Sequence, residues 1–164
     1  MNSNLQSRAA RKDLALLVES EGLGQQLFAT AERLASGQRR REAWSALHEL
    51  ERQTRTGVLQ FLHARELHVS YRDQLGRGVG LPGGAGLPVL PWAMQMRFVA
   101  GGTRRYLPVF RRLATRFAGS DSSDFFDYVV AHELAIVEFT RRELDHRDDS
   151  LQPVRELLGR VPGG

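Results

Sequence analysis

Apolar residues recur along this chain at intervals of three and four, the spacing that builds one face of an α-helix. No segment sustains the period-two alternation of a half-buried strand. Four long stretches carry the helical pattern. The first predicts a helix over Ser7 to Ser36, with Leu16, Leu23, Leu27, Ala31 and Leu34 on one face and Gly37 as its stop. The second predicts a helix from Arg39 to Leu67, buried along Trp44, Leu47, Leu50, Thr54, Val58, Phe61 and Leu62. A third begins with Pro91 in its first turn and reaches Ala118, and Gly101, Gly102 and Pro108 in its interior predict a kink or break. After a turn over Gly119 to Ser123, the fourth and most apolar helix runs from Asp124 to Asp145, and Pro153 opens a short terminal helix ending at Gly159.

The connections carry as much information as the helices. The first and second helices are joined tightly, as are the third and fourth, so each pair is an antiparallel hairpin. Between the pairs lies residues 73 to 91, DQLGRGVGLPGGAGLPVLP, too rich in Gly and Pro for a helix and far longer than most connections. One domain over residues 1–164 is expected: an all-α, antiparallel four-helix bundle with a long crossover and a short C-terminal helix. Within the crossover Gly78, Gly80 and Gly83 match a dinucleotide-binding spacing, but no strand precedes them and Pro82 interrupts it, so they read as loop.

Polar residues on the predicted inner faces mark the candidate chemistry. On the fourth helix Glu133 has Val129, Val130, Ile136 and Val137 at helical spacings, so its carboxylate must be protonated, paired or coordinated. His132 lies beside it. Glu138, one turn from Arg141 and Arg142, reads instead as an edge ion pair. On the second helix Glu51 falls in the apolar stripe, and His48 sits three residues earlier. Both helices contain His-Glu-Leu, at His48 and at His132, a weak sign of internal repetition. Reflection across the first turn sets Glu51 level with about Gly24, which makes Glu21 its best carboxylate partner. The same reflection across the turn between the third and fourth helices sets Glu133 level with about Pro108 to Arg111, where an arginine could neutralise it.

With two hairpins, one long crossover, and inward Glu and His on the second and fourth helices, residues 10 to 146 resemble the ferritin-like superfamily. The resemblance implies a di-iron or di-manganese centre, built from one Glu on each of two helices and Glu-x-x-His on each of the others. It also implies association, so a homodimer is expected. The chain departs from the ligand pattern. Glu51 is followed three residues later by Thr54 and Glu133 by Ile136, and no Asp or Glu occurs between Asp73 and Asp121. A standard dinuclear centre is therefore not expected. A metal-free polar centre is the leading expectation, structural or catalytic, with Glu133 or Glu51 as general acid or base beside His132. A mononuclear iron or manganese site of an oxidoreductase is the alternative, drawing on Glu51, His132 and Glu133 with His48 or Glu21. A non-catalytic bundle acting through its surface is the third reading.

Composition narrows the field. Cysteine is absent, which excludes disulfides, zinc–thiolate sites, iron–sulfur clusters and thiol nucleophiles. No apolar run is long enough for a signal-peptide core or a membrane span, so a cytoplasmic protein without membrane partners is expected. The net charge is +4, and Lys12 is the only lysine among 23 basic residues. Arginines and acids are mostly interleaved, which argues against nucleic acid as partner. The third helix is the exception, with arginines and no acid. There Arg104, Arg105 and Arg111 are the candidate sites for an anionic small molecule, unless they pair with acids of the other helices.

Overall fold

The computed structural model describes residues 7–69 and 86–160, and among these it is all-helical. Helix α1 spans Arg8–Leu34, α2 Gln38–Ala64, α3 Trp92–Phe117, α4 Ser123–Leu144 and α5 Gln152–Leu158. A 3-10 turn, Leu87–Val89, precedes α3. All five helices fall where periodicity places them, to within three residues at each end. The glycine-rich spacing at Gly78 to Gly83 lies outside the described residues. No helix among the described residues is long and apolar enough to cross a membrane.

Local chemistry explains the boundaries. Ser7 caps α1 by accepting from the Ala10 amide at 3.2 Å. The turn into α2 passes through Gly37 at φ +85°, a left-handed conformation that glycine adopts without a Cβ clash. Gly119, at φ +71°, serves the turn between α3 and α4 in the same way. The expected break in α3 does not occur. The helix runs continuously through Gly101, Gly102 and Pro108 because all three face outward, where water can satisfy the carbonyl that the proline leaves unpaired.

Helix α1 packs along α2, and α3 along α4. The two pairs meet where α1 touches α3 and where α2 touches α4 and α5. The interior falls into two apolar clusters. One gathers Phe28, Trp44, Leu47, Leu50, Met96 and Phe139, and the other Leu14, Leu17, Val58, Phe61, Phe110 and Phe126. In the second, Phe61 stacks on Phe125 with centroids 4.2 Å apart, and Phe117 stacks on Phe126 at 4.8 Å. Leu87 anchors the described end of the crossover in the first cluster, and Trp92 meets Trp44 edge-on at 5.4 Å.

The stripe expected on the second helix is buried in full. On the first, Ala31 is buried as expected but most of the stripe is displaced. Leu34 is 55% exposed, Leu16 and Leu23 are only partly buried, and the inward residues are Leu14, Leu17, Val18, Glu21, Phe28 and Ala31. The cause is chemical: the inner face of α1 also carries Asp13, Ser20 and Glu21, which a purely hydrophobic pattern rotates outward. Asp13 is satisfied by Arg112 of α3 at 2.9 Å.

Gly101 and Gly102 sit on the exposed face of α3, and a Cβ at either would meet nothing within 4 Å. Gly101→Ala and Gly102→Ala should each therefore stabilise the protein by about 0.5–1 kcal/mol, the ordinary helix preference of alanine. Urea unfolding of the two variants checks this.

Candidate functional site

Between the two apolar clusters lies a polar layer. Glu21 of α1, Glu51 of α2, and His132 and Glu133 of α4 are all buried, Glu21 and His132 almost completely. In α1 and α2 each occupies a position between the two clusters' residues, Glu21 between Val18 and Phe28 and Glu51 between Leu50 and Val58. In α4 His132 and Glu133 lie between Val129 of one and Ile136 of the other. Helical spacing thus carries three elements' polar groups to one level. Helix α3, without acids, contributes none.

The ring of His132 sits between two carboxylates. Its Nδ1 is 3.6 Å from Glu21 Oε2, and its Nε2 is 3.6 Å from Glu51 Oε1. Both separations exceed a normal hydrogen bond. Both oxygens of Glu21 and both nitrogens of His132 are buried with no hydrogen-bond partner among the described residues. One ligand atom each from Glu21, Glu51 and His132 can be chosen so that all lie within 4.8 Å of one another.

The Glu51 carboxylate lies against α1 at Gly24. A Cβ there would sit 2.5 Å from Oε1 and Cδ and 2.8 Å from Oε2. Real Cβ atoms do not approach so closely, so this glycine is the gap in α1 that admits the carboxylate.

Desolvation dominates the electrostatics. Burial raises Glu51 to about 8, and the protonated Glu21 carboxyl, as a donor towards it, opposes the rise. Burial likewise raises Glu133 to about 8, opposed by His132 and reinforced by Glu51. Glu21 is raised well above the carboxylate range by burial; His132 lowers it, and Glu51 and Glu133 push it further up. Three carboxyls around one imidazole therefore hold protons well above their ordinary pH. Tyr128, one turn before His132, extends the layer towards the surface. Its hydroxyl accepts from Gln53 Nε2 at 2.9 Å, and Gln53 also donates to the Arg160 carbonyl at 2.6 Å. Burial raises the Tyr128 phenol, with Thr54 and Gln53 opposing.

Glu21, Glu51, His132 and Glu133 thus come together, while other sequence candidates lie apart. His48 is half-buried and paired with Glu32, Nδ1 to Oε2 at 3.0 Å, so it belongs to a separate contact between α1 and α2. The shared His-Glu-Leu string does not mark a repeat: Leu50 is buried and Glu49 exposed, whereas Glu133 is buried and Leu134 exposed. The two strings present opposite faces. Arg111 is exposed and is not among the groups acting on Glu133, so the expected arginine neutralisation is replaced by protonation through burial. Arg104 and Arg105 are exposed as well, and of the α3 arginines only Arg112 pairs with an acid among the described residues. Glu138 does form the edge pair with Arg141 and Arg142, and these hydrogen bonds lower it to about 2. Sequence reasoning missed Gly24 as a pocket and Tyr128 as part of the layer. For Gly24 the only signal was its level with Glu51.

No family model, curated protein or solved structure matches this chain.

The raised carboxyls fix the sign of a pH effect. Between the unfolded value near 4.5 and the folded value near 8, the metal-free native state holds protons that the unfolded chain has released. Its stability should fall as pH rises through that window, by up to about 1.4 kcal/mol per pH unit for each proton. Glu51→Gln should flatten the slope, as read by urea unfolding at a series of pH values without metal. Gly24→Ala should destabilise by about 1 kcal/mol, because its Cβ forces the flexible end of Glu51 out of the gap and into a less favourable position in the buried layer. In a Glu51→Ala background the same substitution should become neutral or stabilising, and a double-mutant cycle measures that coupling.

Proposed function

We propose that the chain is a four-helix bundle of ferritin-like arrangement whose interior binds a single divalent cation between Glu21, Glu51 and His132. What carries the reading is one ligand atom each from Glu21, Glu51 and His132 within 4.8 Å of one another, where the oxygens of Glu21 and the nitrogens of His132 are buried without hydrogen-bond partners among the described residues. Buried polar groups in proteins are nearly always satisfied, so a cluster of orphans facing one another calls for a missing partner. The hairpin pairing of α1 with α2 and α3 with α4, and the contacts of α1 with α3 and α2 with α4, support the bundle arrangement.

The donor set fits one ion and falls short of two. Two metals of the ferritin-like kind draw on four carboxylates and two histidines. Here the layer offers Glu21, Glu51, Glu133 and one imidazole, and α3 adds nothing. An oxygen-rich set with a single imidazole suits manganese or ferrous iron better than softer ions. An ion held by so few protein ligands keeps open positions for water or substrate and would supply Lewis-acid or one-electron chemistry there. Imidazole ligates through one nitrogen, so one ring lone pair goes to the ion while the other nitrogen keeps its N–H, and each carboxylate would reach the ion through an oxygen of its own. Glu133 adds a proton-holding carboxyl at the border of the site, and the Tyr128 hydroxyl, hydrogen-bonded by Gln53, feels the Glu21 carboxylate.

A second reading rests on a specific observation as well. Each ring nitrogen of His132 faces its own carboxylate at the same 3.6 Å. That symmetry suits a metal-free acid–base centre, in which the ring lies between two carboxyls that burial keeps protonated. The two readings separate on one measurement. With Mn(II) or Fe(II) supplied anaerobically, the cation reading expects stoichiometric binding and a stabilisation of about 2.7 kcal/mol once the free ion reaches a hundred times Kd. Binding should tighten as pH rises, because the ion displaces protons. Glu51→Gln and His132→Ala should weaken it by more than the about 10–100-fold that outer partners of a metal site cost. An unshifted melt across Mn(II), Fe(II) and Zn(II), with no bound metal by elemental analysis, would leave the acid–base triad.

A further inference from the structure

Away from the buried centre, a cavity of about 640 Å³ opens where the start of α2, the start of α3 and the end of α4 converge. Its lining includes Gly37, Arg39, Arg40, Trp92, Glu143 and His146. The volume lies within the range of small-molecule sites and far exceeds that of a single inorganic ion.

The charges in this cavity are arranged, not scattered. Glu143 is 7% exposed and is held mainly by neutral donors: Trp92 Nε1 at 2.7 Å, and the hydroxyl of Ser150. Arg39 reaches the same carboxylate only at 3.5 Å, and its side chain is 66% exposed. Most of its guanidinium donors therefore remain unspent. Arg40 lies over the Trp92 ring, 5.4 Å from guanidinium carbon to ring centroid, with no acid as partner among the described residues. Trp92 is in turn fixed from behind by Trp44 and from its indole N–H by Glu143. The buried acid thus holds the aromatic floor, and the floor holds one of two guanidinium groups that have donors to spare. His146 adds an imidazole at the same cavity. The start of α2 contributes a supplementary field of the same sign, since Gly37 gives it no side-chain cap.

We propose that this cavity binds a phosphate-bearing small molecule, with Arg39 and Arg40 taking the phosphate. Planar guanidinium forks match phosphate oxygens in pairs, which a single cation does not. The space beyond the two arginines accommodates the rest of the ligand. This differs from the expectation of anion binding on α3, where Arg104 and Arg105 stand exposed on a helix face. It is also independent of whether the buried centre holds a cation.

The test uses the full chain, labelled with nitrogen-15, at low ionic strength, titrated with inorganic phosphate and with adenosine monophosphate. Saturable shifts are expected at the amides of residues 37 to 40 and at the Trp92 indole, with the monophosphate binding more tightly than phosphate because it fills more of the cavity. Arg39→Gln combined with Arg40→Gln should weaken both by about tenfold or more, as expected for losing charge-assisted hydrogen bonds. Arg104→Gln combined with Arg105→Gln removes the same charge elsewhere and should change neither. Circular dichroism confirms that both double variants remain folded, as expected for outward-facing positions. Absence of shifts at these amides, monophosphate binding weaker than phosphate, or equal weakening in the two double variants would each overturn the proposal.

Discussion

Four ionisable side chains share one interior level of this protein, and their desolvation is the constraint around which the rest is organised. An unpaired carboxylate in an apolar medium is costly enough that it takes up a proton, finds a partner or binds an ion. Three of them beside one imidazole answer that cost collectively: Glu51 and Glu133 titrate near 8, and Glu21 rises for the same reason. The apolar core divides around them into two clusters, each with its own aromatic packing. Such a layer weakens the fold at neutral pH relative to a continuous core, and its persistence in three helices at one level is the physical argument for function.

Much of the architecture was legible in the sequence because helical periodicity and turn chemistry are local. Gly37, Gly119, Pro91 and Pro153 bracket the helices, and the stripe of α2 is unambiguous because it is almost wholly apolar. The face of α1 was misread for the opposite reason. Its buried side carries Asp13, Ser20 and Glu21, and its outer side carries Leu34, so hydrophobicity points about one residue away from the true inner face. Where a helix presents chemistry to the interior, the hydrophobic pattern loses its authority. The expected break of α3 fails on a related point: glycine and proline disrupt a helix through unsatisfied backbone, and an outward face has water to satisfy it.

The site was legible in its members but not in its geometry. Reflection across the turn from α1 to α2 puts Gly24 opposite Glu51 and so nominates Glu21, because two helices joined tightly have a fixed relative level. No such rule links α2 to α4, since the long crossover lies between them. That His132 meets both Glu21 and Glu51 follows from packing between hairpins, which is non-local. His48 illustrates the limit. Identical local sequence at His48 and His132 gives opposite burial, because the rotation of each helix is set by its neighbours and not by its own three residues.

The position of Gly24 bears on which partner the centre is built for. A helix gains about 1 kcal/mol by replacing an interior glycine with alanine. At this position the gain is forgone, and the space goes to the carboxylate of Glu51. If the centre needed only neutral, protonated carboxyls, a slightly withdrawn Glu51 would serve as well, and the gap would have no purpose. On the proposed cation reading, the gap has a use: it lets the carboxylate lie back against α1 while one of its oxygens stays within 4.8 Å of ligand atoms of Glu21 and His132. The 3.6 Å separations on both sides of the ring fit the same proposal: too long for direct hydrogen bonds, they leave one ring lone pair and the facing carboxylate oxygens for a third participant. Under the proposed reading, a cation would answer the desolvation of the carboxylates directly, because its charge would take the place of the protons that burial otherwise draws in.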